Sequence, residues 1–152
     1  MGLYKVSLLI ILLVAAGYYL VPKYFPLLFS QPEGNYYAVT ISGESFKLEV
    51  ADTEEKRLKG LSGRNEMASD EGMLFIFDDV ASHGITMRGM RFPLDIIWLR
   101  NKKVIDIADN VYPDNGFEPE IYYPALQADT VIELNAGAAE KLNLKVGDRL
   151  SW

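Results

Sequence analysis

The sequence predicts a mainly β (α+β) domain, a small mixed or antiparallel β-sheet of barrel-like form with two short helices, preceded by one transmembrane helix. Three observations lead there. Short β-prone runs recur through residues 36–152, separated by glycine, proline and asparagine corners. Only two brief segments between them have helical character, so no alternation of long helices and strands supports a doubly wound fold. Residues 3–21, LYKVSLLIILLVAAGYYLV, are apolar almost throughout and carry one charge, Lys5.

A helix over residues 3–21 would rise about 28 Å, close to the ~30 Å hydrocarbon core of a bilayer. Tyr18 and Tyr19 fall where an aromatic belt meets the headgroups, and Pro22 ends the helix. Lys5 makes a positive inner flank, which places the amino terminus in the cytoplasm and the body outside, as a single-pass protein of the cell membrane. A cleaved signal peptide competes, but Leu13-Val14-Ala15 is a poor cleavage site and more apolar sequence follows it. A buried helix inside a small domain is the third reading. The domains are then residues 1–22 as anchor, 23–35 as a linker and 36–152 as the extracytoplasmic β domain. Pro22, Pro26 and Pro32 forbid a regular element in the linker. Its Tyr24, Phe25, Leu27, Leu28 and Phe29 suit either the membrane interface or packing on the body.

In the body, residues 36–40 and 45–50 read as two strands turned by Ser42-Gly43-Glu44. Phe46, Leu48 and Val50 alternate with Lys47 and Glu49, the period of a half-solvated strand. Asp52 or Thr53 caps a helix with Glu54 and Glu55 in its first turn and Lys56, Arg57 and Lys59 toward its end, and Gly60 stops it. Residues 61–70 are a polar loop. Residues 73–77 are a strand, 78–83 a turn or short loop, and 85–90 a further strand. Pro93 precedes LDIIWL, a run apolar at nearly every position and so a central strand, and Asn101-Lys102-Lys103 turns it back into residues 104–108. Residues 109–124 form a long excursion with Pro113, Pro119 and Pro124. Residues 128–135 are a strand, 138–142 a short helix or turn, and 146–150 a brief closing strand.

The whole chain has 15 basic and 21 acidic side chains. Residues 31–152 hold all 21 acids and 13 of the bases, a net charge of −8. So acidic a body disfavours nucleic acid as a partner. Cysteine is absent, which removes disulfides, thiolate catalysis and cysteine-ligated metals. No nucleophile elbow, phosphate-binding loop or dinucleotide fingerprint is present, and no cofactor is called for.

The segments ADTEEKRLKGLSGR (residues 51–64), DEGMLFIF (70–77), MRGMRFPLDIIWL (87–99) and VIELNAG (131–137), in this order and with VGDRL near the end, resemble the domain family of unknown function 192, also filed as uncharacterised protein family 0127. The resemblance spans residues 39–150. It implies a small, mainly β protein of a family often exported or membrane-attached, with no established general activity. The family's recurrent arginine falls on Arg64, its glutamate-glycine-methionine turn on Glu71, Gly72 and Met73, its proline-leucine-aspartate signature on Pro93, Leu94 and Asp95, and its later glutamate on Glu133. Ile85-Thr86 and Gly89-Met90 depart from the family's aromatic pair and asparagine-threonine step.

Arg64, Glu71, Arg88, Asp95 and Glu133 are accordingly the ligand-binding candidates. Converged, two guanidinium forks among three carboxylates would hold a small polar ligand; otherwise they are an ion-pair network fixing loops to the sheet. His83, Met87 and Met90, with Met73, are a weak soft-metal set, and methionines more commonly fill cores. Tyr112, Phe117, Tyr122 and Tyr123 are the interface candidates, and with Glu118 and Glu120 they also suit a sugar-binding lip. The function expected is a membrane-anchored binding or accessory module for a membrane protein or small polar ligand. The alternative is a metal- or carboxylate-dependent enzyme acting on a small or carbohydrate-like substrate, with Asp95, Glu133 and Glu71 as acid, base or metal ligands.

Overall fold

The computed structural model describes residues 35–152. The chain enters as the hairpin β1 (Tyr36–Ile41) and β2 (Glu44–Ala51). Ser42 and Gly43 at its tip have φ of 50° and 86°, the left-handed pair whose twist matches that of two antiparallel strands. Thr53 then caps α1 (Glu54–Lys59) by accepting the Lys56 amide on Oγ1 at 3.3 Å, and Gly60 ends it at φ 47°. The crossover through α1 brings in β3 (Glu71–Ala81) parallel to β2, the one parallel pairing of the sheet.

The short β4 (Ile85–Thr86) pairs with β7 (Ile121–Tyr122) in a separate two-stranded sheet. Between them β5 (Leu94–Arg100) and β6 (Lys103–Val111) form a second hairpin, turned by Asn101 and Lys102 at φ 50° and 62°. β8 (Ala128–Asn135) inserts between β3 and β5, and α2 (Ala138–Lys141) follows it. The main sheet runs β1-β2-β3-β8-β5-β6.

Both faces of its centre are covered, which is why β5 and β8 are apolar without alternation. One face carries Leu48, Leu74, Ile97, Ile132 and Leu134 against Ala139, Leu142 and Leu150. The other carries Met73, Phe75, Ile96, Trp98 and Val131 against Leu61, Ile85, Met87 and Met90. The Trp98 indole N–H donates to the His83 carbonyl at 2.9 Å, so the largest core side chain leaves no polar atom unpaired.

Two acids, Asp95 and Glu133, interrupt this apolar centre, and Asp95 is the one spent on the fold. It is fully buried, and its carboxylate accepts three backbone amides: Asn110 (2.8 Å) and Gly137 (3.1 Å) on Oδ1, and Ala139 (2.8 Å) on Oδ2. Asn110 sits where the β5–β6 register slips, Leu94 opposing Val111 but Ile96 opposing Ala108, and its φ is 53°. The aspartate thus satisfies a bulged strand and the corner into α2 together.

Several expectations are corrected. The sheet is not a closed barrel: among the described residues β1 forms a ladder only with β2 and β6 only with β5, and single bridges, Thr40 to Ser151 and Lys103 to Arg149, join these edges to the tail. The tail covers both edges at one end, Asp148 accepting from Val104, Leu150 donating to Lys102 and Ser151 accepting from Thr40. Of the predicted turn or short loop over 78–83, residues 78–81 are instead the end of β3, which re-pairs at Ala81–Ala128 after an irregularity, and only 82 and 83 lie beyond it. The predicted strand over 85–90 stops at Thr86, because Gly89 at φ 74° and a Met90-to-Met87 hydrogen bond make residues 87–90 a turn.

The expected transmembrane helix over 3–21 and the expected linker up to residue 34 fall outside the described residues. Among the described residues no helix is long and apolar enough to cross a membrane, α1 having six residues and α2 four. The membrane-anchored, extracytoplasmic placement and its partners, a bilayer and a membrane protein, therefore give way to a β domain described without them.

Asp95→Ala leaves three amides without an acceptor, that of Ala139 buried and those of Asn110 and Gly137 partly so, each costing about 1 kcal/mol or more. The variant is expected to lose at least about 3 kcal/mol in urea unfolding, and Asp95→Asn, which keeps one acceptor oxygen, less. A loss below about 1 kcal/mol for the alanine variant would contradict the anchoring role.

Candidate functional site

Glu133 lies on β8 between Met73 of β3 and Ile96 of β5, and its side chain projects to the face opposite Asp95. Its backbone cannot recede, because Gly72 packs so closely that a Cβ there would come within 2.5 Å of the Glu133 carbonyl oxygen. The residue is 5 % exposed. Its carboxyl forms no hydrogen bond or ion pair with the described residues, yet it is not sealed in, since it lines a cleft of about 370 Å³. Burial pushes its pKa from the ordinary 4.5 up to about 8, so at neutral pH the group is a carboxylic acid with one proton to donate.

The cleft walls come from four places. α1 and the turn after it give Arg57, Lys59, Leu61 and Ser62; β3 gives Phe75; β4 and the turn beyond it give Ile85, Thr86, Arg88 and Met90; β8 gives Glu133. The first and third walls are tied together at the rim, where Gly63 donates to the Gly89 carbonyl at 2.9 Å and the Ser62 hydroxyl to the Arg88 carbonyl at 3.1 Å. Gly89 in turn donates to the Asn115 side-chain oxygen at 3.2 Å, which connects this rim to the loop before β7. Gly84 permits β7 to lie against β4, since a Cβ there would meet Tyr123 and Ile121 at about 2.5 Å.

Arg57 is committed: its guanidinium donates to the Ile76 carbonyl at 2.8 Å and lies 5.3 Å over the Phe77 ring. The side chains of Lys59 and Arg88 make no hydrogen bond or ion pair among the described residues, and both are exposed. The arrangement can therefore receive an apolar body against Phe75, Ile85 and Met90, donate one proton from Glu133, and offer positive charge at the opening. A second cavity of about 370 Å³, along Asn35–Tyr37, Val50, Asp52 and Ile76, holds no buried ionisable group.

The five ligand-binding candidates do not converge. Arg64 pairs with Glu49 and Glu71 with Lys47, both near the surface along β2. Asp95 is consumed by backbone amides on the other face. Arg88 and Glu133 alone share a cleft, so the expected polar cluster of two arginines and three carboxylates is replaced by a mainly apolar site with one acid. Glu133 entered the sequence reading only as the position of the family's later glutamate; its place inside the apolar run TVIEL is the signal that could have marked it as buried. Arg57, Lys59 and Phe75 were missed as its neighbours because only the β2–α1–β3 crossover brings them there.

The metal set dissolves as well. The His83 ring stacks on Phe77 at 3.6 Å with Nε2 3.2 Å from the Asp79 carbonyl, while Met87, Met90 and Met73 are buried among apolar groups. Among the described residues no three His, Cys, Asp or Glu side chains are placed to hold a metal, and the enzyme alternative built on such ligands finds no support. In the aromatic excursion, Asp114 accepts the Gly116 and Glu120 amides, which holds its carboxyl below the usual range and gives the loop its own framework. Tyr112, Phe117 and Tyr123 are exposed there. Tyr122 is half-buried and donates to Glu120 at 2.8 Å.

Because folding raises the Glu133 pKa, the folded state retains a proton that the unfolded state releases. Its contribution is intact below about pH 4.5, declines as pH rises, and is lost above about pH 8. Glu133→Gln, neutral at every pH, is expected to unfold with a flatter pH dependence across that window and to gain on the parent at about pH 9 relative to about pH 5. Parallel curves for the two proteins would show that the carboxyl is not held neutral.

Comparison with known proteins agrees with the fold. A crystal structure of a protein of unknown function from Novosphingobium aromaticivorans is 33 % identical, with a TM-score of 0.71, over 77 % of this chain and 85 % of that one. One from Sinorhizobium meliloti, provisionally described as a transcription regulator, is 28 % identical, with a TM-score of 0.72, over 80 % and 96 %. No curated protein matches the chain. Residues 37–152 match DUF192, described as an uncharacterized ACR, and the chain belongs to that family.

Proposed function

We propose that the domain is a small-molecule-binding module whose site is the Glu133 cleft. The observation that carries this reading is a glutamate 5 % exposed, whose carboxyl has no hydrogen-bond or ion-pair partner among the described residues and which lines a cleft of about 370 Å³. Burying an ionisable group without a partner costs several kcal/mol unless it becomes neutral, and even the neutral acid loses hydrogen bonds to water. A strand centre flanked by methionine and isoleucine would be more stable with leucine there. A ligand that accepts the Glu133 proton offsets that cost only when bound.

The size and lining suit an organic molecule that is apolar over most of its surface and touches the protein through few polar atoms. This differs from the small polar ligand suggested by the charged residues of the sequence. The transcription-regulator description of the Sinorhizobium protein is not carried over as nucleic-acid binding, because residues 31–152 here have a net charge of −8.

A screen of small organic molecules against the full-length chain, read by amide chemical shifts, tests the reading. Binders are expected to move the amides of Phe75, Ile85, Met90 and Glu133 together. Thr86→Trp, which places an indole at an exposed position of the cleft wall, is expected to weaken them at least about tenfold without unfolding the sheet. Binders that map elsewhere, or that ignore the indole, would overturn it.

A further inference from the structure

The opening and the floor of the cleft differ in charge, and that difference narrows the ligand. At the opening stand Lys59, on the last turn of α1, and Arg88, in the turn after β4. Neither side chain has a partner among the described residues, although the body around them carries eight more acids than bases. At the floor stands Glu133, flanked by Met73 and Ile96. The ionisable groups facing the cleft are Arg57, Lys59, Arg88 and Glu133, and Arg57 is bonded to the Ile76 carbonyl. Phe75, Ile85 and Met90 line the space between the two ends.

Resting on the ligand-binding reading above, we propose that the ligand is an organic monoanion, with a carboxylate held at the opening by Lys59 and Arg88, an apolar middle, and an uncharged hydrogen-bond acceptor that meets Glu133. Lys59 and Arg88 favour negative charge at the solvent end, where charge need not be fully desolvated. The acid form of Glu133 rejects a second anionic group less than a carboxylate would, but rewards a carbonyl or hydroxyl oxygen, since it has a proton to give. A dicarboxylate would place charge against the apolar floor. A hydrocarbon tail would leave the Glu133 proton unmatched, which is the stronger of the two discriminations available to a buried polar group.

The probe is 4-acetylbenzoate, which has a carboxylate and a ketone at opposite ends of a ring. Its neutral amide, 4-acetylbenzamide, lacks the charge, and 4-ethylbenzoate lacks the acceptor. With the full-length chain at about pH 6.5, the keto acid is expected to bind at least about tenfold more tightly than either analogue. In the double variant Lys59→Ala, Arg88→Ala the preference for acid over amide is expected to fall to near one. In Glu133→Leu the preference for ketone over ethyl should vanish. Raising the pH to about 9, where Glu133 ionises, should weaken the keto acid in the parent and leave Glu133→Gln unaffected.

An amide that binds as well as the acid overturns the anionic end, and an ethyl compound that binds as well as the ketone overturns the acceptor. A keto acid that fails to bind overturns the ligand class. Other molecules that move the same cleft amides would then keep the binding-site reading apart from it.

Discussion

The Asp95 carboxylate is the interaction on which the rest of the domain depends. Burying a charge in an apolar sheet is costly, and it is tolerated here because both oxygens are filled by backbone amides held at fixed positions. Those amides belong to two parts of the chain that no local pattern would bring to β5: the bulge of β6 at Asn110, and the corner between β8 and α2 at Gly137 and Ala139. Gly137, at φ 82°, can turn its amide toward the aspartate with little strain. The central strands and the helix that caps one face are thus locked to each other through one side chain. With β8 fixed in register, the residue next to Leu134, the Asp95 neighbour, must face the other way. That residue is Glu133.

Two acids therefore sit one step apart on adjoining strands at the centre of the sheet, pointing to opposite faces, with opposite chemistry. Asp95 is surrounded by donors and is spent on structure. Glu133 has apolar neighbours and no donors among the described residues, so desolvation alone governs it and drives it toward the neutral form. The same residue type yields an anchor on one side and an unused proton donor on the other. The chemistry follows from which face has backbone ends to satisfy, and only the face bearing α2 and the β6 bulge does.

Much of the fold was legible because it is local. Ser42-Gly43 and Asn101-Lys102 are turns made by their own residues, Thr53 and Gly60 cap α1 within one segment, and the doubly apolar LDIIWL could only be central. The order of the strands was not, since the parallel β2–β3 pairing and the insertion of β8 between β3 and β5 rest on contacts far apart in sequence. The same distance hid the fate of the charges. Arg64 and Glu71 looked like members of a site until register placed Lys47 opposite Glu71 and Glu49 within reach of Arg64. Met87 and Met90, three residues apart and so on opposite faces of the strand expected over 85–90, turn together into the core because Gly89 takes a left-handed conformation between them. Glu133 stands in the sequence as an acid among aliphatic residues, but the cleft beside it does not show there, because its walls come from elements without sequence adjacency.

The cleft also has a mechanical dependence on a loop that never lines it. β4 supplies Ile85 and Thr86 to one wall, yet β4 belongs to no part of the main sheet and is held by two residue pairs with β7. Beyond it, the turn bearing Arg88 and Met90 is tied on one side to Ser62 and Gly63 and on the other to Asn115. Asn115 stands in the stretch that Asp114 organises by accepting the Gly116 and Glu120 amides. Shifting that loop would move Gly89, and with it the exposed Arg88, while Met90, buried in the core, and β3, β8 and Glu133 stayed where the sheet holds them. The floor is thus part of the main sheet, and the facing wall is held inward by buried Ile85, Met87 and Met90, while its exposed edge at Arg88 and Gly89 is fixed by a few hydrogen bonds that individually contribute about 1 kcal/mol. The cleft combines a fixed floor, where a hydrogen bond to Glu133 requires accurate placement, with an adjustable rim, where a charge from Arg88 acts over a longer distance and tolerates displacement.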